Sequence, residues 1–348
     1  MKKTIKLIGS AVIAFLIVNF IFAFYSTDAG WLKRSGGPTA GVYIPGHYII
    51  NMEEGAGVRQ ADANGYLNQS SELENGYILV LGKSHTNAIE VSDKYRYVSL
   101  LNDYICGNEN KNKVYSVARG GNTFADLIGG FDALIHEFDD SSCVILEMDS
   151  VGQLEDLENA IENQRTWTEN DSADYLVKNQ SIGDFSKTFI KEKMPLLAYL
   201  VNERIPKLDL GMKGAFFYES SNLETESKDE LEDRNQYYRV LSNAMELIRS
   251  EYGNRIIILY HPSVSISEDG DLVTNEMLYL NELKLACQEN GIEFCDMTEA
   301  FQEEYKKNYF VPYGFMNTSM GEGHLNKHGH KIIAEYLYKQ YFAEVEKK

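Results

Sequence analysis

The sequence predicts an α/β protein in which five short strands form a mostly parallel sheet with helices on both faces. Three observations carry that prediction. Short, mostly apolar runs recur along the chain, as expected of strands buried on both faces. Segments with helical spacing separate them, such as Thr123–Phe138 with Phe124, Leu127, Ile128, Phe131, Leu134 and Ile135 on one side. Strands alternating with amphipathic helices require crossover connections, which make the sheet parallel.

The elements follow in order. Tyr77-Ile78-Leu79-Val80-Leu81, ended by Gly82, is the first strand, and helical character follows around Tyr97–Ile105. Val114–Val117 is the second strand and Cys143–Leu146 the third. A polar insert carries expected helices at Phe185–Asn202 and Glu230–Tyr252. Arg255–Tyr260 is the fourth strand, Asn275–Glu289 a helix, Ile292–Cys295 the fifth strand, and Asn326–Val345 the closing helix. The chain shows no internal repeat. The simplest division is an N-terminal membrane segment over 1–27, a Gly-, Asn- and Glu-rich lead-in over 28–75 with a short strand near Tyr48-Ile49-Ile50, and one domain over 76–348.

The N-terminus bears on compartment. Lys2, Lys3 and Lys6 precede an uncharged run from Leu7 to Phe24, long enough to cross a bilayer with the lysines on the cytoplasmic side. Such a run serves either as a retained signal anchor or as a cleaved signal peptide. Its length and the lack of a clean A-x-A site favour the anchor, with Thr27-Asp28-Ala29 the alternative cleavage region. Either way, the catalytic portion is expected outside the cytoplasm. With 52 acidic and 33 basic residues the formal charge is −19, which repels nucleic acid at long range and argues against it as a partner. Cys106, Cys143, Cys287 and Cys295 lack metal-ligand spacing and are expected as buried free thiols, Cys287 and Cys295 being the pair nearest in sequence for a bridge.

In a parallel sheet the chemistry gathers at the carboxyl ends of the strands. Gly82-Lys83-Ser84-His85-Thr86 places a serine directly after the first strand, with backbone amides beside it for a developing oxyanion. A serine hydroxyl needs a base. His324 supplies a candidate, in the loop Gly323-His324-Leu325-Asn326-Lys327-His328-Gly329-His330 before the last helix. Two other readings fail. A phosphate-binding P-loop needs glycine where Tyr77 stands, five residues before Gly82. A zinc site on His324, His328 and His330 needs convergence, yet residues two apart on a helix point to different faces. No metal and no cofactor are expected.

These blocks, taken together, resemble those of the SGNH/GDSL hydrolase superfamily. Gly82–Thr86 is similar to its first block, Ala118-Arg119-Gly120-Gly121-Asn122-Thr123 to its glycine-bearing second, and Gly321–His330 to its last, across residues 77–345. The resemblance implies a flavodoxin-like three-layer α/β/α sandwich and ester chemistry. Ser84 would be the nucleophile, His324 the base, and the amides of Ser84 and of Gly120 or Gly121 the oxyanion donors. Three positions depart from the pattern. Lys83 replaces an aspartate, where a cation would suit an anionic substrate group. Asp149, in Glu147-Met148-Asp149-Ser150, stands where an oxyanion asparagine is usual, so it must be protonated, turned away, or replaced in role by Ser150 or Asn122. Gly321 stands where an orienting aspartate is usual, leaving Glu322, a backbone carbonyl, or a Ser–His dyad.

Other candidate contacts are His261 in Tyr260-His261-Pro262, which either lines the cleft or belongs to a proline turn, and Asn317 in Phe315–Thr318, which either shapes the pocket or packs a loop. The expected function is an extracytoplasmic serine esterase or O-acyltransferase acting on acylated, above all acetylated, glycans. The rivals are a lipase or lysophospholipase, and a catalytically degenerate glycan-binding or scaffold protein.

Overall fold

The computed structural model describes residues 2–34, 41–107, 109, 111–201 and 230–343. Its centre is a sheet of five strands: β1 (Ile78–Gly82), β2 (Val114–Ala118), β3 (Cys143–Met148), β4 (Arg255–Tyr260) and β5 (Glu293–Asp296). The strand order is β5-β4-β3-β1-β2, and every neighbouring pair is parallel. This is the flavodoxin-like order, and the order reverses between β1 and β3, which opens a crevice at their carboxyl ends.

The period of two along each strand builds two cores. Leu79, Leu81, Val144, Leu146, Ile256 and Ile258 face one way, under helices Phe124–Gly129, Phe131–Glu137, Glu230–Glu251 and Leu280–Glu289. Ile78, Val80, Ile145, Ile257 and Leu259 face the other, under Tyr97–Cys106, Thr298–Asn308 and Lys327–Leu337. Strands β1 to β4 are largely apolar on both sides because both sides are covered, whereas the edge strand β5 sets Glu293 and Asp296 around Phe294 and Cys295.

Several helices differ in extent from expectation, each for a local reason. Gly130 divides Thr123–Phe138 into two helices. The expected helix at Phe185–Asn202 is Ile182–Lys193 followed by Pro195–Tyr199, because Pro195 forces Met194 out of helical geometry; Asn202 lies outside the described residues. The helix expected from Asn275 begins at Leu280, since Leu272–Asn275 instead pairs antiparallel with Ser263–Ile266. After Leu337 the closing helix widens into a π turn over Tyr338–Phe342, and Val345 lies outside the described residues. All four cysteines are free and buried.

The lead-in is ordered to an extent that its sequence does not suggest. Ser26–Thr27, Tyr48–Asn51 and Gly57–Gln60 form one small antiparallel sheet, and Trp31–Lys33 pairs with Gly41–Tyr43. Ala29, Tyr43, Ile49, Ala61 and Leu67 form a small core of their own, with Ile89 packed against it. Gly57 is required there, because a Cβ would lie 2.0 Å from the Ile89 carbonyl oxygen.

Candidate active site

Strand register alone gathers the site. Ile78 pairs with Val114 and with Cys143, and Cys143 pairs with Arg255. Six residues further along each strand come Ser84, Gly120, Asp149 and His261, so all four leave the sheet at one height. Ser84 opens the short helix Ser84–Asn87, is half-buried, and its hydroxyl makes no hydrogen bond among the described residues. Gly82 lets that helix close, since a Cβ would lie 2.0 Å from Thr86 Oγ1. Gly120 and Gly121 are exposed, with open space around both and Gly121 at φ +86°.

His324 arrives from the loop before helix Lys327–Leu337, whose start is capped by Asn326 accepting from the His328 and Gly329 amides. Its ring lies 5.2 Å from that of His85, the residue after Ser84. The orienting acid is Glu54, from the lead-in. His324 Nδ1 donates to Glu54 Oε2 at 2.7 Å, and the His324 backbone amide donates to Glu54 Oε1 at 2.8 Å. With Nδ1 on a carboxylate, Nε2 carries the lone pair, which is the tautomer a general base needs. Glu90 Oε1 sits 3.5 Å from the same Nδ1.

Glu322 does not take the orienting role: it is exposed, while Glu54 fills the space beside Nδ1. The glycines of the loop explain why. Gly321 holds φ +88°, disfavouring an aspartate there, and at Gly323 a Cβ would lie 2.3 Å from Glu54 Oε1. Asn317, though exposed, packs a loop. Its amide donates to the Met52 and Gly55 carbonyls and accepts from the Gly55 amide, clamping the turn that carries Glu54.

The electrostatics follow from these contacts. Burial works against charge on His324, but Glu54 and Glu90 outweigh it and its pKa is raised. For Glu54, burial is outweighed by the His324 hydrogen bonds, and its pKa is lowered. Burial pushes Glu90 up, against the opposing pull of the His324 charge.

Asp149 is neither protonated nor isolated. Its carboxylate is ion-paired with Lys83 Nζ, accepts from Ser150 Oγ at 3.0 Å, and has His85 Nε2 at 3.6 Å. Burial would raise it, yet His85 and Lys83 together hold it well below the usual carboxylate range. An ionised carboxylate cannot donate to an oxyanion, so Asp149 is not an oxyanion donor, and Lys83 neutralises it instead of facing solvent as a free cation. Asn122 Nδ2 is buried and has no acceptor among the described residues, which leaves its donor capacity unused.

His261 is fully buried and therefore does not line a cleft. Its Nε2 donates to Glu147 Oε1 at 2.8 Å, and its Nδ1 lies 2.7 Å from the Tyr313 hydroxyl, which donates to the Pro262 carbonyl. Glu147, also fully buried, accepts from the Lys83 amide and from Thr86 Oγ1. Its burial is outweighed by His261, Lys83 and His85, which bring it down to about 2. This network braces the serine turn from beneath.

Glu54, Glu90 and His324 present three ligand atoms within 4.8 Å of one another, a set that could also hold a metal ion. His328 and His330 are not part of it: His328 stacks on Phe310 and His330 on Tyr97. A cleft of about 520 Å³ lined by Asn64, Glu74, Tyr77, Asp140 and Trp167 lies at the opposite end of β1 from Ser84. It is remote from the serine and histidine.

By sequence, no protein-family model matches the chain, and no curated protein matches it. Among solved structures it is similar to LAE5, an α/β hydrolase from the metagenome of Lake Arreo, Spain, at 14% identity and a TM-score of 0.39, over 77% of this chain and 95% of that one. It is similar to the acetyl xylan esterase AlAXEase at 12% identity and 0.36, over 76% and 99%. A protein of the G-D-S-L family from Desulfitobacterium hafniense DCB-2 aligns at 13% identity and 0.31, over 76% and 99%. At that distance these likenesses decide nothing about the chemistry of this chain, which rests on its own sheet order and side chains.

Proposed function

We propose that the protein is a membrane-tethered, extracytoplasmic serine ester hydrolase or O-acyltransferase working through Ser84, His324 and Glu54. The observation that carries this reading is the Glu54–His324 pair. A histidine fixed at Nδ1 by a carboxylate, ring to ring with the neighbour of a serine, with neither its Nε2 nor the serine hydroxyl hydrogen-bonded among the described residues, is the arrangement of a nucleophile and its base. Ser84 Oγ attacks the acyl carbonyl as His324 Nε2 takes its proton. The imidazolium, stabilised by Glu54, returns that proton to the leaving alcohol. Water or an acceptor hydroxyl then attacks the acyl-enzyme by the same route in reverse. The amides of Ser84 and Gly120 or Gly121, with Asn122 in place of Asp149, hold the oxyanion.

The membrane address rests on Lys3–Phe22, a helix long and apolar enough to cross a bilayer. An acylated glycan as substrate rests on that address and on the motif resemblance. The second reading, a catalytically silent glycan-binding protein, draws on the carboxylate at Asp149.

The test is labelling of the full chain by a fluorophosphonate, with Ser84→Ala as control, followed by acetate release from acetylated xylan or peptidoglycan against p-nitrophenyl esters of rising chain length. Labelling at Ser84 and a preference for acetyl groups on glycan are expected. A folded protein that never labels at Ser84 overturns the catalytic reading in favour of the binder. A preference for long acyl chains replaces glycan by lipid.

A further inference from the structure

We infer that helix Ile182–Lys193, with the short segment after it, is a membrane-interface element that seats the catalytic domain on lipid beside its anchor. The inference rests on the anchor reading of the N-terminal helix and adds a second contact with the same bilayer.

The first observation is that the helix is amphipathic the wrong way round for water. Thr188, Lys191 and Glu192 face the protein: Lys191 is ion-paired with Asp28, Glu192 with His47, and the Thr188 side chain lies against Gly30. Ile182, Phe185 and Phe189, spaced i, i+3, i+7, face outward and are 88%, 63% and 50% exposed. Leu200 and Val201, just beyond, are exposed as well. A helix at a protein–water boundary turns its apolar stripe inward. This one fastens itself by polar groups and offers its apolar stripe outward.

The second observation says what covers that stripe. The segment docks on the end of the N-terminal helix. Asn19 Nδ2 donates to the Lys193 carbonyl at 2.9 Å, Asn19 Oδ1 accepts from the Leu196 amide at 3.3 Å, and the rings of Phe22 and Tyr199 lie 5.0 Å apart. Asn19 is three residues from the end of the apolar span at Phe22, so the joint sits about 4.5 Å inside that end at 1.5 Å per residue. Interfacial helices bury their apolar faces about 5–10 Å into the headgroup and acyl boundary. The outward stripe is therefore continuous with the bilayer-spanning surface at the depth where lipid would meet it. Phe20, Phe24 and Tyr25 add exposed aromatic rings at the same level, as a membrane–water boundary favours. The chain carries −19 overall, yet residues 182–201 hold three lysines against two acids, so this face is spared the repulsion from anionic headgroups felt elsewhere.

The experiment uses the full chain in vesicles of phosphatidylcholine and phosphatidylglycerol. A nitroxide is placed at Phe185→Cys, Phe189→Cys, Lys187→Cys or Val12→Cys, the four native thiols being buried. Power saturation then compares collisions with oxygen, which partitions into lipid, and with a nickel chelate, which stays in water. The oxygen-to-nickel ratio should be several-fold higher at 185 and 189 than at 187, with Val12 deeper than all three. Nickel access at 185 and 189 equal to that at 187, with Val12 deep, overturns the seat while leaving the anchor. Low access to both reagents at 185 and 189 means that protein covers them, and overturns it too. Nickel access at Val12 removes the anchor, and the seat with it.

Discussion

Replacing Glu54 probes the one catalytic assignment that comes from outside the sheet domain. Glu54 accepts two hydrogen bonds from His324, at 2.7 Å from Nδ1 and 2.8 Å from the backbone amide. A hydrogen bond to a charged group contributes about 1.5–3 kcal/mol. At about 1.4 kcal/mol per factor of ten, Glu54→Ala should lower kcat/KM by about 10- to 150-fold. Glu54→Gln should fall further. Its amide has one donor end and one acceptor end, yet both His324 groups that it meets are donors. If the NH2 faces Nδ1, the ring proton moves to Nε2 and the base is lost; if it faces the backbone amide, the loop is pushed away. The pH profile separates this from general damage. In the wild type Glu54 and Glu90 hold His324 above its ordinary range, so the acid limb of kcat/KM lies correspondingly high. In Glu54→Ala burial regains weight and the limb moves to lower pH. The assay is p-nitrophenyl acetate hydrolysis from pH 5 to 9, with circular dichroism to confirm folding. Folded variants that keep both wild-type kcat/KM and an unshifted acid limb would refute the assignment.

Three further outcomes are expected. Lys83→Ala leaves the Asp149 charge uncompensated beside the oxyanion and should cost at least about tenfold in kcat/KM, while Lys83→Ala with Asp149→Asn recovers most of it; an unrescued double variant argues against charge as the cause. Gly323→Ala forces a Cβ to within 2.3 Å of Glu54 Oε1 at φ +75°, which should destabilise by about 1–3 kcal/mol in thermal melts. It should also lower activity in the wild type far more than in Glu54→Ala. Glu147, held at about 2, contributes stability above pH about 4.5 that is lost as pH falls toward 2. Glu147→Gln should therefore flatten the acid limb of the stability curve and cost about 3–5 kcal/mol near neutrality, read by denaturant unfolding at each pH.

The parts of this molecule that could be read from sequence are those encoded locally. Strands β1 to β4 are largely apolar runs buried on both faces, and all five strands appear within a residue or two of their expected places. Ser84 and His324 were legible because each stands beside a strand or helix end within a short, ordered block. Glu54 was not legible. It lies 270 residues from its partner, in a stretch without periodicity, and Glu53-Glu54 looks like any exposed acidic pair. The glycines at 321 and 323 were visible, but only three-dimensional contact shows that they make room for a carboxylate. Glu147 was hidden for the opposite reason: it ends an apolar strand, where sequence alone cannot distinguish a buried ion pair from a solvent-facing acid. His261 and Asn317 each left two readings open, since a polar side chain at a functional edge faces inward as readily as outward; the structure buries His261 against Glu147 and ties Asn317 to the turn that carries Glu54.

The distance of Glu54 from the rest of the site has a consequence for biogenesis. In the proposed relay the acid is made first, the nucleophile next, and the base last, so the relay is a clasp fastened across 270 residues of chain. On that reading a chain cut short of His324 has its serine without its base and would be inert, whatever else of it has formed.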